Sequence, residues 1–372
     1  MSRSYRVMVV DDSAVVRGLL VRALDADPAI SVVASVPDGL TAIKRVERDE
    51  VDVVVLDIEM PVMDGLTALP KIIEARPGIQ VIVASTLTRR NAEISLRALR
   101  AGAADYIAKP SSAIERNSAE GFHQELIGKV KALGAASRVR RPEGGSAASP
   151  KPRPASRSSG AKPAAAASKE ISLRPAPAFA PRALAVGSST GGPQALHTLF
   201  DALPPSLQVP VFLVQHMPPA FTSLLAEHLS RHSAIPCTEG VDGEVVRSGH
   251  AYLAPGDYHM EVAGRDGTPI IKLNQGPQEN YCRPAVDPTL RSLVKVYGGR
   301  VLVVILTGMG SDGQHGAQAI VDAGGAVIAQ DEESSVVWGM PGAVATAGLC
   351  SAVLPLDDIA PYLKGLLMRS AA

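Results

Sequence analysis

Continuous runs of valine, isoleucine and leucine, each followed by a helical pattern, constrain the fold of this chain most. In residues 1–137 such runs fall at Val7–Val10, Val32–Ala34, Val53–Leu56, Val81–Ala84 and Tyr106–Ala108. A strand that is apolar at every position, rather than at every second one, has to be covered on both faces. Strand-then-helix alternation supplies that cover, with helices on both sides of a parallel sheet. The same signature returns at Ala183–Val186, Val209–Gln215 and Val301–Leu306. Two doubly wound parallel α/β domains are therefore expected, at 1–137 and 183–372. In such sheets chemistry gathers at the carboxyl ends of the strands, near the point where strand order reverses.

Between them, 36 of the 45 residues at 138–182 are Ala, Pro, Ser, Lys or Arg. So little apolar surface cannot offset the entropy of ordering, and the segment reads as a flexible linker. A random coil of about 45 residues spans roughly 35–40 Å. The formal net charge is zero, but 138–182 carries 10 basic and 2 acidic side chains against 10 and 17 in 183–372. A basic stretch with a single aromatic, Phe179, held between two domains, reads as a tether rather than a nucleic-acid tail. With aromatics at 3%, base stacking is also a poor basis for binding nucleic acid. Cys237, Cys282 and Cys350 are far apart and form no Cys-x-x-Cys. They read as buried small apolar residues in a reducing compartment, not as a disulfide or zinc framework. No apolar run reaches the ~18–20 residues of a membrane span, and no signal-like segment opens the chain. A cytoplasmic protein with no membrane insertion is expected.

In the first domain polar residues close four of the five runs: Asp11-Asp12, Asp57, Ser85-Thr86 and Lys109-Pro110. Carboxylates gathered at one edge repel unless a cation sits among them, and an all-oxygen set suits Mg²⁺. A neighbouring lysine is a fixed partner for an incoming phosphoryl group. Solvated loop acids would explain any one of these strand ends, but not their agreement. Together with Leu56-Asp-Ile-Glu-Met-Pro-Val-Met-Asp-Gly65 and Gly102-Ala-Ala-Asp-Tyr-Ile-Ala-Lys-Pro110, they make 1–137 similar to the receiver domain of two-component response regulators, a flavodoxin-like fold. The resemblance implies that Asp57 accepts a phosphoryl group from a histidine kinase. It implies that Asp11, Asp12, Asp57 and the Glu59 carbonyl hold Mg²⁺, that Lys109 pairs with the phosphate, and that Ser85 or Thr86 is the switch hydroxyl.

In the second domain, Gly187-Ser-Ser-Thr-Gly-Gly192 joins a strand to a helical pattern that opens with Pro193. A serine on such a turn is exposed, with N–H groups and a helix dipole nearby, as an acyl-transfer nucleophile requires. A phosphate cradle or a plain tight turn fits the same residues. His216 stands out among the histidines because a strand delivers it to the sheet edge, and Asp312 sits on a glycine loop after Val301–Leu306. Ser189, His216 and Asp312 would then share one edge as nucleophile, base and orienting acid. The rival Ser189…Asp287…His315 leaves the His315 ring with nothing obvious to lock it.

Further stretches extend the resemblance to the whole chain: Val214-Gln-His-Met-Pro-Pro219, Tyr252-Leu-Ala-Pro-Gly-Asp257, Cys282-Arg-Pro-Ala-Val-Asp-Pro288, Leu306-Thr-Gly-Met-Gly-Ser-Asp-Gly313 and Trp338-Gly-Met-Pro341. Residues 183–372 resemble the catalytic domain, Rossmann-like in fold, of chemotaxis protein-glutamate methylesterases. The resemblance implies phosphorylation-controlled hydrolysis of glutamate methyl esters on chemoreceptor cytoplasmic helices, and deamidation of receptor glutamines. A monomer without a cofactor in this domain is expected. The resemblance places the catalytic roles on Ser189, His216 and Asp312, and the oxyanion hole on the N–H groups of Thr190 and Met309. Ser188 departs from the family, which often has alanine there. Two other classes stay open: a nucleic-acid-binding output, disfavoured by the acidic second domain, and a phosphorylation-gated binding module.

Overall fold

The computed structural model describes residues 4–86, 88–109, 119–140 and 171–367. Most of the expected linker, 141–170, lies outside them. The first domain alternates β1 (Tyr5–Val10), α1 (Ala14–Asp25), β2 (Ile30–Val36), α2 (Gly39–Arg48), β3 (Val53–Asp57), α3 (Gly65–Ala75), β4 (Gln80–Ser85), α4 (Arg89–Arg100), β5 (Asp105–Ala108) and α5 (Ala119–Arg140). Its strands pair in the order β2-β1-β3-β4-β5, all parallel. Every residue of β3 and β4 is buried, as their unbroken apolar runs require. Helices α1 to α4 begin on Ser13, Asp38, Asp64 and Thr88, whose side chains accept the N–H three positions on. Each such cap contributes about 1 kcal/mol.

The second domain runs β6 (Ala183–Ser188), α6 (Gly192–Ala202), β7 (Val211–Gln215), α7 (Pro219–His232), β8 (Cys237–Glu239), β9 (Ala251–Leu253), β10 (His259–Arg265), β11 (Thr268–Asn274) and α8 (Val286–Tyr297). It continues with β12 (Val301–Ile305), α9 (Gln314–Asp322), β13 (Ala326–Gln330), α10 (Met340–Thr346), β14 (Cys350–Leu354) and α11 (Leu356–Leu367). The seven-stranded sheet has the order β14-β13-β12-β6-β7-β9-β8 and is parallel throughout. Both domains are therefore doubly wound parallel α/β sheets. The β10–β11 hairpin stands apart as an antiparallel pair. It was not foreseen, because its alternating residues carry a weaker signal than a fully apolar run.

The chain leaves β6 to one side of that strand and returns at β12 on the other. The two sheets thus reverse direction between β1 and β3 and between β6 and β12, the positions where a crevice opens at the carboxyl ends.

Residues 171–182, at the end of the expected linker, lie against the second domain. Arg174 N–H donates to the Cys350 carbonyl, Arg182 N–H donates to the Arg300 carbonyl, and Phe179 packs on the core. The expected first-domain boundary at 137 falls inside α5.

The two domains also touch directly. Tyr106 of β5 stacks on Phe221 of α7 with centroids 4.3 Å apart and rings 17° from parallel. Such a pair contributes about 0.5–1.5 kcal/mol beyond the area it buries. Both rings are buried, and one apolar cluster continues from α4 and β5 into α6 and α7.

Candidate active site

In the first domain, Asp11 follows β1 and Asp57 ends β3, on either side of the strand-order reversal. Lys109, just past β5, reaches across with Nζ 2.6 Å from Asp11 Oδ2 and 2.7 Å from Asp57 Oδ1. Asp11 Oδ2 is buried, and the Lys109 ammonium is its close partner among the described residues. Burial pushes the Asp57 carboxyl above the usual range, while Lys109 pulls the other way. Asp12 is exposed, yet a ligand atom of each of Asp11, Asp12 and Asp57 lies within 4.8 Å of the others. An all-carboxylate donor set fits a hard divalent cation. Glu59 is exposed on the loop after β3. Ser85 and Thr86 face α4 instead of Asp57: Ser85 Oγ is 2.8 Å from Ser95 Oγ, and Thr86 Oγ1 accepts from Asn91 Nδ2 at 2.7 Å.

In the second domain, Ser189 leaves β6 and lies beside Thr307, whose carbonyl accepts the Ser189 N–H at 3.0 Å. Close approach depends on glycine. A Cβ on Gly308 would lie 2.9 Å from Ser189 Cβ and 2.4 Å from Met340 Sδ. Gly191 caps α6 with φ +76°, a conformation open to glycine and strained for most other residues. The N–H groups of Thr190 and Met309 donate to no acceptor among the described residues, and Ser189 Oγ likewise has no partner. Ser188 differs from its neighbour. Its hydroxyl is fully buried and donates to Gln215 Oε1 at 2.7 Å, while Gln215 Nε2 donates to the Ser189 carbonyl at 3.0 Å. Ser188 thus braces the turn that presents Ser189.

His216 follows β7, and its Nε2 lies 2.8 Å from Asp312 Oδ2. Asp312 is buried and also accepts from the N–H groups of Val286 at 2.6 Å, Asp287 at 3.2 Å and Gly313 at 2.9 Å. Burial alone would raise this carboxyl, but His216 and those N–H groups hold it below the ordinary range. A carboxylate so surrounded accepts only, which assigns the proton to His216 Nε2 and leaves Nδ1 as the basic nitrogen. Cys282 Sγ sits 3.4 Å from that Nδ1. Burial disfavours the imidazolium, yet Cys282 and Asp312 together carry the His216 pKa above the usual histidine range.

Cys282 is therefore half-buried against His216, not the inert apolar residue expected from its isolation in the sequence. The reading holds for Cys237 and Cys350, where burial pushes both thiols up to about 12. Asn280 was also missed. Its Nδ2 bridges Asp312 Oδ1 at 3.0 Å and Asp287 Oδ2 at 3.1 Å. Nothing in spacing marks either residue. The rival pair is looser: His315 Nδ1 is 3.6 Å from Asp287 Oδ2, and the His315 side chain is 83% exposed.

The fold and this edge define a two-domain class, a response-regulator receiver joined to an α/β enzyme domain. Residues 184–363 match the CheB methylesterase family and residues 7–117 the response regulator receiver domain. A Rhodospirillum centenum protein named protein-glutamate methylesterase/protein-glutamine glutaminase of group 2 operon is 54% identical over 100% of this chain and 96% of its own. A protein-glutamate methylesterase/protein-glutamine glutaminase of Azospirillum brasilense is 54% identical over 98% of this chain and 93% of its own. Among solved structures, the catalytic domain of Thermotoga maritima CheB methylesterase is 41% identical, covering 50% of this chain and 100% of that one at a TM-score of 0.49. The chain belongs to the CheB methylesterase family. No helix among the described residues is long and apolar enough to cross a membrane.

Proposed function

We propose that this protein hydrolyses glutamate methyl esters on the cytoplasmic helices of chemoreceptors and deamidates receptor glutamines, under control of a phosphoryl group on Asp57. The observation that carries the catalytic half is the His216–Asp312 pair at 2.8 Å, on the same sheet edge as the unpartnered Ser189 hydroxyl. Ser189 Oγ attacks the glutamyl carbonyl carbon and passes its proton to His216 Nδ1, at the place where Cys282 Sγ now lies. Asp312 supports the resulting imidazolium through Nε2. The carbonyl oxygen, now an anion, accepts from the free N–H groups of Thr190 and Met309. Collapse expels methanol, or ammonia from glutamine, with the proton returned by His216. Water, deprotonated by the same nitrogen, then releases glutamate from Ser189.

The control half rests on what the receiver holds in this arrangement. Thr190 Oγ1, adjacent to the nucleophile, donates to Asp105 Oδ2 of β5 at 2.6 Å, with both side chains buried. Lys129 of α5 binds the same carboxylate at 3.2 Å and the Tyr106 carbonyl at 2.6 Å. Burial would discharge Lys129, but Asp105 and Glu125 outweigh it and keep it cationic. Gln194 of α6 donates to the carbonyls of Leu99, at 2.9 Å, and Ala103. The receiver face α4-β5-α5 thus lies on the serine turn and restricts access to it. A histidine kinase of the chemotaxis system supplies the phosphoryl group. Asp11, Asp12 and Asp57, with the Glu59 carbonyl, would hold Mg²⁺, which when bound offsets negative charge on the transferring group. Lys109 pairs with the phosphate, and Ser85 or Thr86 exchanges its α4 partner for it, shifting α4 against α6 and α7. Methanol release from methylated receptor membranes, with and without a small phosphodonor, tests the reading. No methanol in either condition would overturn it.

A further inference from the structure

The outer wall of the site is a single tight turn, Glu279–Cys282. Glu279 N–H donates to the Cys282 carbonyl at 3.1 Å, and Cys282 N–H to the Glu279 carbonyl at 2.9 Å. The two central residues have positive φ, +51° at Asn280 and +63° at Tyr281. Positive φ at both central positions of a two-residue loop is the type I′ arrangement, which favours asparagine followed by glycine. Asn280 suits its place. Tyr281 occupies the glycine position, where a bulky side chain strains the backbone because Cβ crowds the carbonyl oxygen that follows.

The flanking residues explain why the turn holds despite that strain. Asn280 ties it to Asp312 and Asp287, and Cys282 lies against His216 Nδ1. Just beyond, Arg283 is anchored by Asp257 at 2.6 Å. The side chain between these anchors buries almost none of its surface. Tyr281 is 93% exposed, the most exposed large apolar side chain among the described residues, and has no hydrogen-bond or ring partner there. That exposure exists with the receiver docked, so Tyr281 stands on a part of the rim that the receiver leaves open.

We infer that Tyr281 is a substrate-contacting residue that grips the receptor helix beside the esterified or amidated side chain. The inference rests on the proposed activity. A tyrosine ring offers a large rigid contact surface at low entropic cost, suited to the side chains flanking the target on a helix. An isolated ester has no such flanks. The contribution therefore appears in binding of the protein substrate and not in the chemistry.

The test compares full-length wild type, Tyr281→Asn and Tyr281→Phe, each activated by a small phosphodonor, on methylated receptor membranes and on a small soluble aryl ester. Tyr281→Asn should raise KM for the receptor about tenfold while kcat stays within about twofold. Its rate on the small ester should be unchanged, and its thermal midpoint no lower, because asparagine tolerates positive φ. Tyr281→Phe, which keeps the ring, should retain the wild-type KM within about threefold. A wild-type receptor KM in Tyr281→Asn overturns the inference. So does an equal loss on the small ester, which would mean that the turn acts only through His216. A wild type that releases no methanol overturns the esterase reading itself.

Discussion

The two sheet edges of this molecule solve the same problem by different means. Each lies where strand order reverses, and each assembles charged or nucleophilic side chains from separate strands. In the receiver the strands themselves deliver the groups, with Asp57 closing β3 and Lys109 following β5, and charge holds them together. In the second domain the strands deliver only Ser189 and His216. Turns complete the arrangement: the glycine loop that runs from Gly308 to Asp312, and the type I′ turn of Asn280 and Tyr281. A charge-held pocket tolerates movement and suits a switch. A turn-held site fixes geometry to a fraction of an ångström, as attack on an ester requires.

The sharpest way to break that contrast is at the serine turn. Ser189→Ala should lower methanol release by a factor of about 10⁴–10⁶, while Ser188→Ala should remain active. The neighbour's buried hydroxyl serves Gln215, so its loss should appear as about 1 kcal/mol of stability in denaturant titration. Reversal of the two activities would move the nucleophile to Ser188.

A smaller effect separates the receiver's two jobs. Asp105→Ala removes the acceptor for Thr190 and one partner of Lys129, weakening the domain contact by about 2–3 kcal/mol. The unphosphorylated rate should rise tens-fold or less, with little further gain from phosphodonor. Asp57→Ala should stay at the basal rate whatever donor is supplied. If Asp105→Ala remains at the basal rate, the receiver controls the site by another contact.

The same contrast bears on what the sequence could disclose. Strand-borne groups were legible, since a fully apolar run announces both the strand and its carboxyl end. Asp11, Asp57, Lys109, Ser189 and His216 all lie where those runs end. Turn-borne groups were not. Asn280 and Cys282 reach Asp312 and His216 only because two consecutive residues adopt positive φ, and Asn-Tyr, lacking glycine, gives no sign of that. The anchoring of 171–182 escaped for a related reason. Low apolar content predicts disorder on average, yet one phenylalanine and a few backbone hydrogen bonds fix this segment. The sequence favours Asp312 over Asp287 by its glycine loop at a strand's carboxyl end, by the unlocked ring of His315 in the rival, and by the family resemblance.

Cys282 gives a finer test through pH. Facing His216 are Asp312 and Cys282, with Asp287 and His315 behind Asp312. Both near neighbours raise the His216 pKa, and the basic form exists only above it. Activity should therefore fall as pH drops through a limb lying above the ordinary histidine value of ~6.5. Cys282→Ala removes one of the two groups responsible, so the acid limb of kcat/KM should move to lower pH. An unmoved limb would mean that Asp312 alone sets the base.

The smallest effect tests whether strain is reserved for the turn-held site. Among its described residues the receiver has one strained exposed residue of its own, Val62, at φ +67° and 83% exposed, on the loop after Asp57. Met63 N–H donates to the Pro61 carbonyl at 2.7 Å across it, a three-residue turn. A β-branched side chain at positive φ costs about 1–2 kcal/mol, and Val62 buries almost nothing in return. Val62→Asn should therefore stabilise the receiver by about 1 kcal/mol in urea titration, with phosphorylation of Asp57 preserved because Lys109, Asp11 and Asp12 are untouched. Stability gained with the phosphorylation rate intact would mark this strain as incidental to the charge-held pocket. Stability gained with that rate lost would show that the receiver also relies on turn geometry, and the contrast between the two edges would fail.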